Sequence, residues 1–369
     1  MNDSWTEIDL GVLRSNLAAL RAALAPSTDL IAMLKADAYG HGLDLVGPEA
    51  WRSGIRRFAV FHAAEALQLR RLLPQAAILW LGVAEPGDVP LILEARLEPL
   101  LVSSNQARGL ALEAARLGSV VTGQAKIDTG MGRLGFAWET AAAELTALAA
   151  LPGLRLAGAG THLACAGSDP AFTALQMTRF NQALEDCRRA GLAIPFRHAA
   201  NSAGLCGSPE WRLDAVRPGI LLYGYGPPSP GAPPTRPFLQ WKTRVAQVKS
   251  VPAGFRVSYD STYVTPRATR IATLPAGYSD GYSRAWSNRG EILAGGRRAR
   301  LAGRVTMNLI MADLGPDSPV QAGDEAVLLG EQGGASIWAD ELAALSGTIS
   351  YEVLTSIRSP RRAVEGAHG

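Results

Sequence analysis

Up to about residue 223, short apolar runs alternate with stretches in which leucine and alanine recur at helical spacing. The runs at 30–36, 57–61, 77–81, 99–103, 122–127, 156–162, 196–201 and 215–223 predict eight strands. Leu13, Leu17, Leu20 and Leu24 mark a helix before the first of them, and 106–117 and 171–190 mark helices between later ones. Strands that alternate with helices imply a parallel sheet covered by those helices. Pattern alone leaves two architectures, a closed (β/α)8 barrel and an open doubly wound sheet.

The alternation breaks at 227–237, PPSPGAPPTRP, where six of eleven residues are proline. Such a stretch is stiff and extended, so it reads as the connector between a first domain, 1–237, and a second, 238–369. Beyond it, 242–251, 270–274, 291–294, 302–314 and 324–329 read as strands separated by turns, with one helix near 339–346. The second domain is expected to be mostly β.

Composition narrows the class. With 47% hydrophobic and 19% charged residues in 369, the chain is expected to bury a large core. A net charge of +3, with arginines dispersed and the basic run 296–300 in a predicted hairpin, argues against a nucleic-acid partner. Three cysteines without CxxC spacing predict neither a disulfide framework nor a metal site. The start, MNDSWTEIDL, has no basic segment followed by an apolar one, and no apolar run is long enough to span a bilayer. A cytoplasmic protein with no membrane partner is the expectation.

Lysine usage singles out one stretch. Only four of the 36 Lys+Arg residues are lysine: Lys35, Lys126, Lys242 and Lys249. Arginine stays protonated at any working pH, whereas a desolvated lysine can act as a base or form a Schiff base. Lys35 sits at the junction of an apolar run and a Gly/Asp-rich turn in DLIAMLKADAYGHG, where a strand would deliver one amine to the mouth of a sheet. Lys126, His162, Asn201 and Arg217 also fall at or near predicted strand ends, where the active groups of a barrel collect.

The segment AMLKADAYGHG resembles the cofactor lysine motif of the alanine racemase family. Five further segments resemble that family in the same order: AKIDTGMGRLG, GTHLA, RHAANSAG, VRPGILLYG and LPAGYSDGY, followed by GRVTMNLIM and TISYE near the end. The resemblance implies a (β/α)8 TIM barrel followed by a mostly β domain. It also implies interconversion of L- and D-alanine with pyridoxal 5'-phosphate, in a homodimer with shared active sites, for D-alanine biosynthesis and peptidoglycan precursors.

The same resemblance implies roles. Lys35 would bind the cofactor covalently and serve as base on the D-face, and Tyr278 from the partner subunit would be the L-face base. Tyr39, Asn201, Ser202, Gly219, Ile220 and Tyr351 would surround the phosphate, His162 would lie against the ring and Arg217 would face the ring nitrogen. Arg133 and the Met307 backbone N–H would bind the substrate carboxylate, and Lys126 is the candidate for carbamylation. Removing an α-proton requires an electron sink, which the cofactor supplies, and inversion requires a base on each face.

Two positions depart from the family pattern: Asn308 stands where aspartate is common and Thr306 where cysteine is common. Both lie in the loop that touches the substrate end of the site, so a broad-specificity amino-acid racemase is the alternative enzyme. A non-catalytic cofactor-binding homeostasis protein would lack the region after 240, and a barrel decarboxylase would be expected to place a cysteine near the partner-supplied groups. All three cysteines precede the proline-rich connector.

Overall fold

The structure, a computed structural model, describes residues 4–227, 229 and 231–366, so part of the proline-rich connector and the outermost residues of both expected domains lie outside the described residues. Two compact units emerge. One comprises Arg14–Ala38 and Val46–Thr235; the other comprises the chain up to Leu13, Tyr39–Leu45 and everything from Arg236.

The first unit is a closed barrel. Its strands are Asp29–Met33, Arg57–Val60, Ala77–Trp80, Leu97–Leu101, Val121–Asp128, Leu154–Gly160, Arg197–His198 and Ala215–Val216. Each pairs in parallel with the next, and Ala215 closes the ring against Asp29. All eight predicted strands are present, and closure selects the barrel over the open sheet. Helices follow with ordinary end chemistry. Ser103 caps Ser104–Arg116 by accepting from Gln106 N at 3.3 Å, and Asp169 caps Pro170–Arg189 by accepting from Phe172 N at 2.9 Å.

The last two barrel strands have only two residues each, shorter than the apolar runs suggest. The backbone explains both. Asn201 accepts from Gly204 N at 3.0 Å and starts the helix Ser202–Cys206, while Pro218 cannot donate to a ladder and Gly219–Tyr225 folds into successive turns.

Strand Asp29–Met33 also stops before its expected end at 36. Ala36, Asp37, Ala38 and Tyr39 all have φ of 52° or 53°, a turn of left-handed helix, before Gly40 and Gly42 at 81° and 90°. Such residues cost roughly 1–2 kcal/mol each when they carry a Cβ. Opposing that cost inside the barrel unit, Asp37 N donates to Glu65 Oε1 at 3.0 Å and Ala38 N donates to Leu34 O at 2.9 Å.

The second unit is one large, mostly antiparallel sheet. Its order runs Gln247–Val251, Thr269–Leu274, Ile310–Asp313, Arg297–Leu301, Glu291–Ala294, Glu325–Gln332, Leu239–Arg244, Ser4–Asp9 and Arg361–Val364. Ser4–Asp9, placed with the barrel by a boundary at the connector, pairs antiparallel with Leu239–Arg244 and parallel with Arg361–Val364. Buried Glu7 ties these strands by accepting from Arg362 and from Lys242, at 2.9 Å from the latter. Burial alone would raise its carboxyl; the Arg362, Trp5 and Lys242 donors instead hold it down at about 2.

The expected strand at 242–251 is two strands, and that at 302–314 is only Ile310–Asp313 preceded by a loop. A helix at Ala339–Ser346 is present, joined by Ser350–Ser356. Trp241, Tyr282 and Trp286 form the buried aromatic centre, with ring centroids 5.7 and 4.7 Å apart in that order.

Candidate active site

At the C-terminal end of the barrel strands, the structure gathers Lys35, Lys126, Arg133, His162 and Arg217 closely enough for their charges to perturb one another. Lys35 is half-buried. Burial, then the positive charge of Arg133, pull its pKa below the usual lysine range, while Glu65 opposes. The result is an amine that gives up its proton more readily than a surface lysine.

Lys126 is buried on its strand and donates to Ile127 O at 3.1 Å. Burial and Arg217 bring its pKa down to about 8, against the pull of Asp128. Asp128 shapes the loop that presents Arg133 by accepting from Gly130 N, Met131 N and Gly132 N at 3.0, 2.9 and 2.9 Å. Gly135, with φ of 124°, lets this loop pass the strand: a Cβ there would meet Lys126 O at 2.6 Å.

Arg217 is buried and held from several sides. Its Nη1 contacts His198 Nδ1, and its Nη2 donates to Thr161 O at 2.7 Å and Ala199 O at 3.0 Å and lies 3.4 Å from His162 Nδ1. Burial lowers its pKa only to about 10, so it stays protonated at working pH. Among the described residues its Nε–H and the second N–H of Nη1 have no acceptor, which leaves directed donors to spare. Burial, followed by Arg217 and the neighbouring lysines and arginine, drives His162 down to about 3, so this imidazole is neutral.

Behind Arg217 runs a chain of polar groups that the sequence did not reveal. His198 Nε2 donates to Gln124 Oε1 at 2.7 Å, and Gln124 Nε2 donates to Glu98. The Glu98 carboxylate accepts only, so it fixes the Gln124 amide; that amide fixes His198 with its proton on Nε2, leaving Nδ1 to accept from Arg217. Burial and then Arg217 push the His198 pKa far down, consistent with a neutral ring. Gly160 makes room for it, since a Cβ there would lie 2.1 Å from the ring. Isolated polar residues on strands gave no signal of this connection.

The turn after the last barrel strand meets the one after its neighbour. Ser202 Oγ accepts from Gly219 N at 3.0 Å and Leu221 N at 3.2 Å. Both lone pairs are then engaged and the hydroxyl hydrogen remains to donate. Buried Ile220 donates its N–H to no group among the described residues. The Asn201 carboxamide is engaged locally, donating to Leu163 O at 3.0 Å and capping Gly204 N.

The other predicted residues lie in the second unit. Tyr39 is buried with its ring 5.8 Å from that of Tyr351, and burial raises both phenols above their ordinary range. Tyr278 and Met307 sit on two loops joined by Tyr278 N donating to Thr306 O at 3.1 Å and Ser279 N donating to Met307 O at 3.0 Å. Both side chains face outward, 45% and 55% exposed.

Among the described residues, all three cysteines are free, no cluster of three or more His, Cys, Asp or Glu could hold a metal ion, and no helix is long and apolar enough to cross a membrane. A closed (β/α)8 barrel that gathers a lysine of lowered pKa, a buried arginine and unspent hydroxyl and backbone donors at the C-terminal ends of its strands has the layout of a barrel enzyme.

The comparisons with known proteins specify which family. The domain family "Alanine racemase, N-terminal domain" matches residues 8–227, and "Alanine racemase, C-terminal domain" matches 238–364. The alanine racemase of Desulfosudis oleivorans is 43% identical, over 98% of this chain and 97% of that protein. The structure of alanine racemase from a D-cycloserine-producing Streptomyces lavendulae superposes with a TM-score of 0.93 at 34% identity, covering 99% and 98%. That of Bartonella henselae, with covalently bound pyridoxal phosphate, gives 0.88 at 27% identity, covering 98% and 99%. The chain belongs to the alanine racemase family.

Proposed function

We propose that the protein interconverts L-alanine and D-alanine with pyridoxal 5'-phosphate, as a cytoplasmic homodimer whose sites are completed by the partner subunit. The observation that carries this reading is the set of groups at the barrel mouth: the weakened Lys35 amine, neutral His162 and an arginine with donors to spare. These residues fit the cofactor. The Ser202 hydroxyl and Ile220 N–H, beside Gly219 and Asn201, are unspent donors for a phosphate; in the second unit the neighbouring Tyr39 and Tyr351 phenols, raised in pKa by burial, are protonated donors. Lys35 would hold the cofactor covalently, His162 would face its ring, and Arg217 Nε–H would donate to its ring nitrogen.

When bound, pyridoxal phosphate supplies the electron sink that makes an α-proton removable. Arg217 stays protonated, so it orients the ring nitrogen without giving it a proton and restrains electron withdrawal. Arg133 holds the substrate carboxylate through its two parallel donors, with the partner subunit's Met307 adding a backbone N–H. On the L-face the partner subunit's Tyr278 takes the proton from Cα, and Lys35 Nζ delivers a different proton to the D-face. The reverse direction exchanges those roles, and both groups re-equilibrate with solvent.

Lys126, with a pKa of about 8, has a neutral fraction near physiological pH. A neutral amine can attack CO2, forming an N–C bond and releasing a proton, and the resulting anion would steady Arg133. Mass spectrometry under native conditions, with and without bicarbonate, reads that modification directly.

The test of the activity is chirality and α-proton exchange in D2O, with purified protein, added pyridoxal phosphate and L- and D-alanine, serine, lysine and arginine. Exchange with inversion for alanine alone is expected. Inversion across the panel would instead make it a broad-specificity racemase, the second reading favoured by Thr306 and Asn308. Absence of exchange with every substrate would overturn both and leave the non-catalytic cofactor-binding or decarboxylase readings.

A further inference from the structure

The two positions that depart from the family pattern, Thr306 and Asn308, flank Met307. Each side chain closes a contact that fixes the Met307 loop. Thr306 Oγ1 donates to Leu309 O at 2.8 Å and accepts from Leu309 N at 3.2 Å, while Thr306 N donates to Leu309 O at 3.0 Å. These bonds close 306–309 into a tight turn with Met307 and Asn308 at its tip. Asn308 Nδ2 donates to Ser279 Oγ at 2.9 Å, and Ser279 Oγ donates to Met307 O at 2.8 Å.

The backbones meet just as closely. Met307 O accepts from both Ser279 N and Ser279 Oγ, and Thr306 O accepts from Tyr278 N. Gly277 permits the approach, since a Cβ there would stand 2.2 Å from Met307 O. The Met307 N–H donates to no group among the described residues.

We infer that Thr306 and Asn308 are positioning residues that clasp the Met307 turn to the Tyr278 loop, so that the L-face base and the carboxylate-binding N–H move as one piece. The inference rests on the racemase reading above. Its chemical core is a donor count. The single hydroxyl hydrogen of Ser279 goes to Met307 O at 2.8 Å, with Asp280 Oδ2 a second acceptor at 3.4 Å, so the partner at 308 must donate. Asparagine donates; an aspartate carboxylate would have to take that hydrogen for itself, leaving Met307 O with the Ser279 N–H alone. Threonine's hydroxyl bridges Leu309 from both sides, where a cysteine S–H is a weaker donor.

The experiment compares holoenzyme variants Asn308→Asp, Thr306→Val, Thr306→Ser and Ser279→Ala, each checked for fold by circular dichroism and for cofactor content by absorbance. Inversion is measured beside α-deuterium incorporation with retention from D-alanine, which uses Lys35 as its base and not Tyr278. Asn308→Asp and Thr306→Val are expected to lower inversion by about tenfold or more, as misplacement of a reacting group does. Retained exchange from D-alanine is expected to persist, and Thr306→Ser to behave as the parent. A further variant, Asn308→Ala, closes a double-mutant cycle with Ser279→Ala: the pair is expected to lose no more than Ser279→Ala alone, which already removes the Asn308 contact together with the hydroxyl's bond to Met307 O.

Equal loss of inversion and retained exchange, multiplicative losses in the cycle, or parental inversion in Asn308→Asp would each overturn the clasp. A parent that exchanges no α-proton at all would overturn the racemase reading itself, a separate and prior failure. Should Asn308→Asp not fold, the Thr306→Val and Thr306→Ser pair decides, since valine keeps the shape and serine keeps the hydroxyl.

Discussion

The barrel mouth and the Tyr278–Met307 loops solve opposite problems. In the barrel unit, Arg217, His198, Gln124 and Lys126 are buried; desolvation lowers the pKa of Arg217, and desolvation with the nearby Arg217 charge lowers those of His198 and Lys126. In the second unit, Tyr278 and Met307 are exposed and owe their placement to backbone hydrogen bonds between two loops. Electrostatic tuning thus belongs to the rigid interior, where an interaction is strong and an error is costly. The outward-facing groups owe more to backbone geometry than to tuning.

Lys35→Ala is expected to have the largest effect, a loss on the order of ten-thousandfold or more in activity, because in the proposed mechanism one residue both holds the cofactor and serves as a base. Borohydride reduction of the parent with pyridoxal phosphate should leave a stable adduct on Lys35 by mass spectrometry. An active variant, or an adduct elsewhere, would contradict the assignment.

Tyr278→Phe comes next. Inversion is expected to fall about a hundredfold or more, while exchange with retention from D-alanine and cofactor absorbance persist. If cofactor binding fails instead and inversion survives, the division between a binding half and an outward half is wrong.

A smaller effect tests the interior. Glu98→Leu frees the Gln124 amide to rotate, after which His198 can carry its proton on Nδ1 and face Arg217 donor to donor. On the order of tenfold in kcat, with little change in KM, is the expected loss for a group acting through two others. An unchanged kcat would show that Arg217 is held adequately by Thr161 O and Ala199 O alone.

The smallest effect is on stability. Because the folded His162 is depressed to about 3 from 6.5, the unfolded chain binds more protons between those values. Stability from this group is present above 6.5 and is lost as pH falls towards 3. Glu7, depressed to about 2 from 4.5, contributes stability that is lost as pH falls through that lower window. Melting temperature should therefore decline on acidification from below 6.5, with Glu7→Gln flattening only the part below 4.5; a level profile from neutrality to pH 5 would contradict the buried neutral imidazole.

Much of this was legible in the chain. Apolar runs bounded by turns gave all eight barrel strands, because parallel strands covered on both faces read as unbroken hydrophobic stretches. Lys35 stood out because lysine is rare here and the stretch around it changes from strand to turn. Three features were not legible, for different reasons.

The left-handed turn at Ala36–Tyr39 has no glycine inside it; Glu65, remote in sequence, is part of what holds it. Ser4–Asp9 joins the second sheet through pairs such as Ser4 with Thr243, a long-range choice that local pattern does not carry. The Glu98–Gln124–His198 chain is assembled only when three strands close around one interior.

The most direct test of a site divided between protomers is to mix inactive Lys35→Ala and Tyr278→Phe proteins under conditions of verified subunit exchange. Half the dimers would be mixed, and each would hold one intact site, so about a quarter of parental racemase activity should return. No recovery despite exchange would contradict a Tyr278 supplied by the partner subunit.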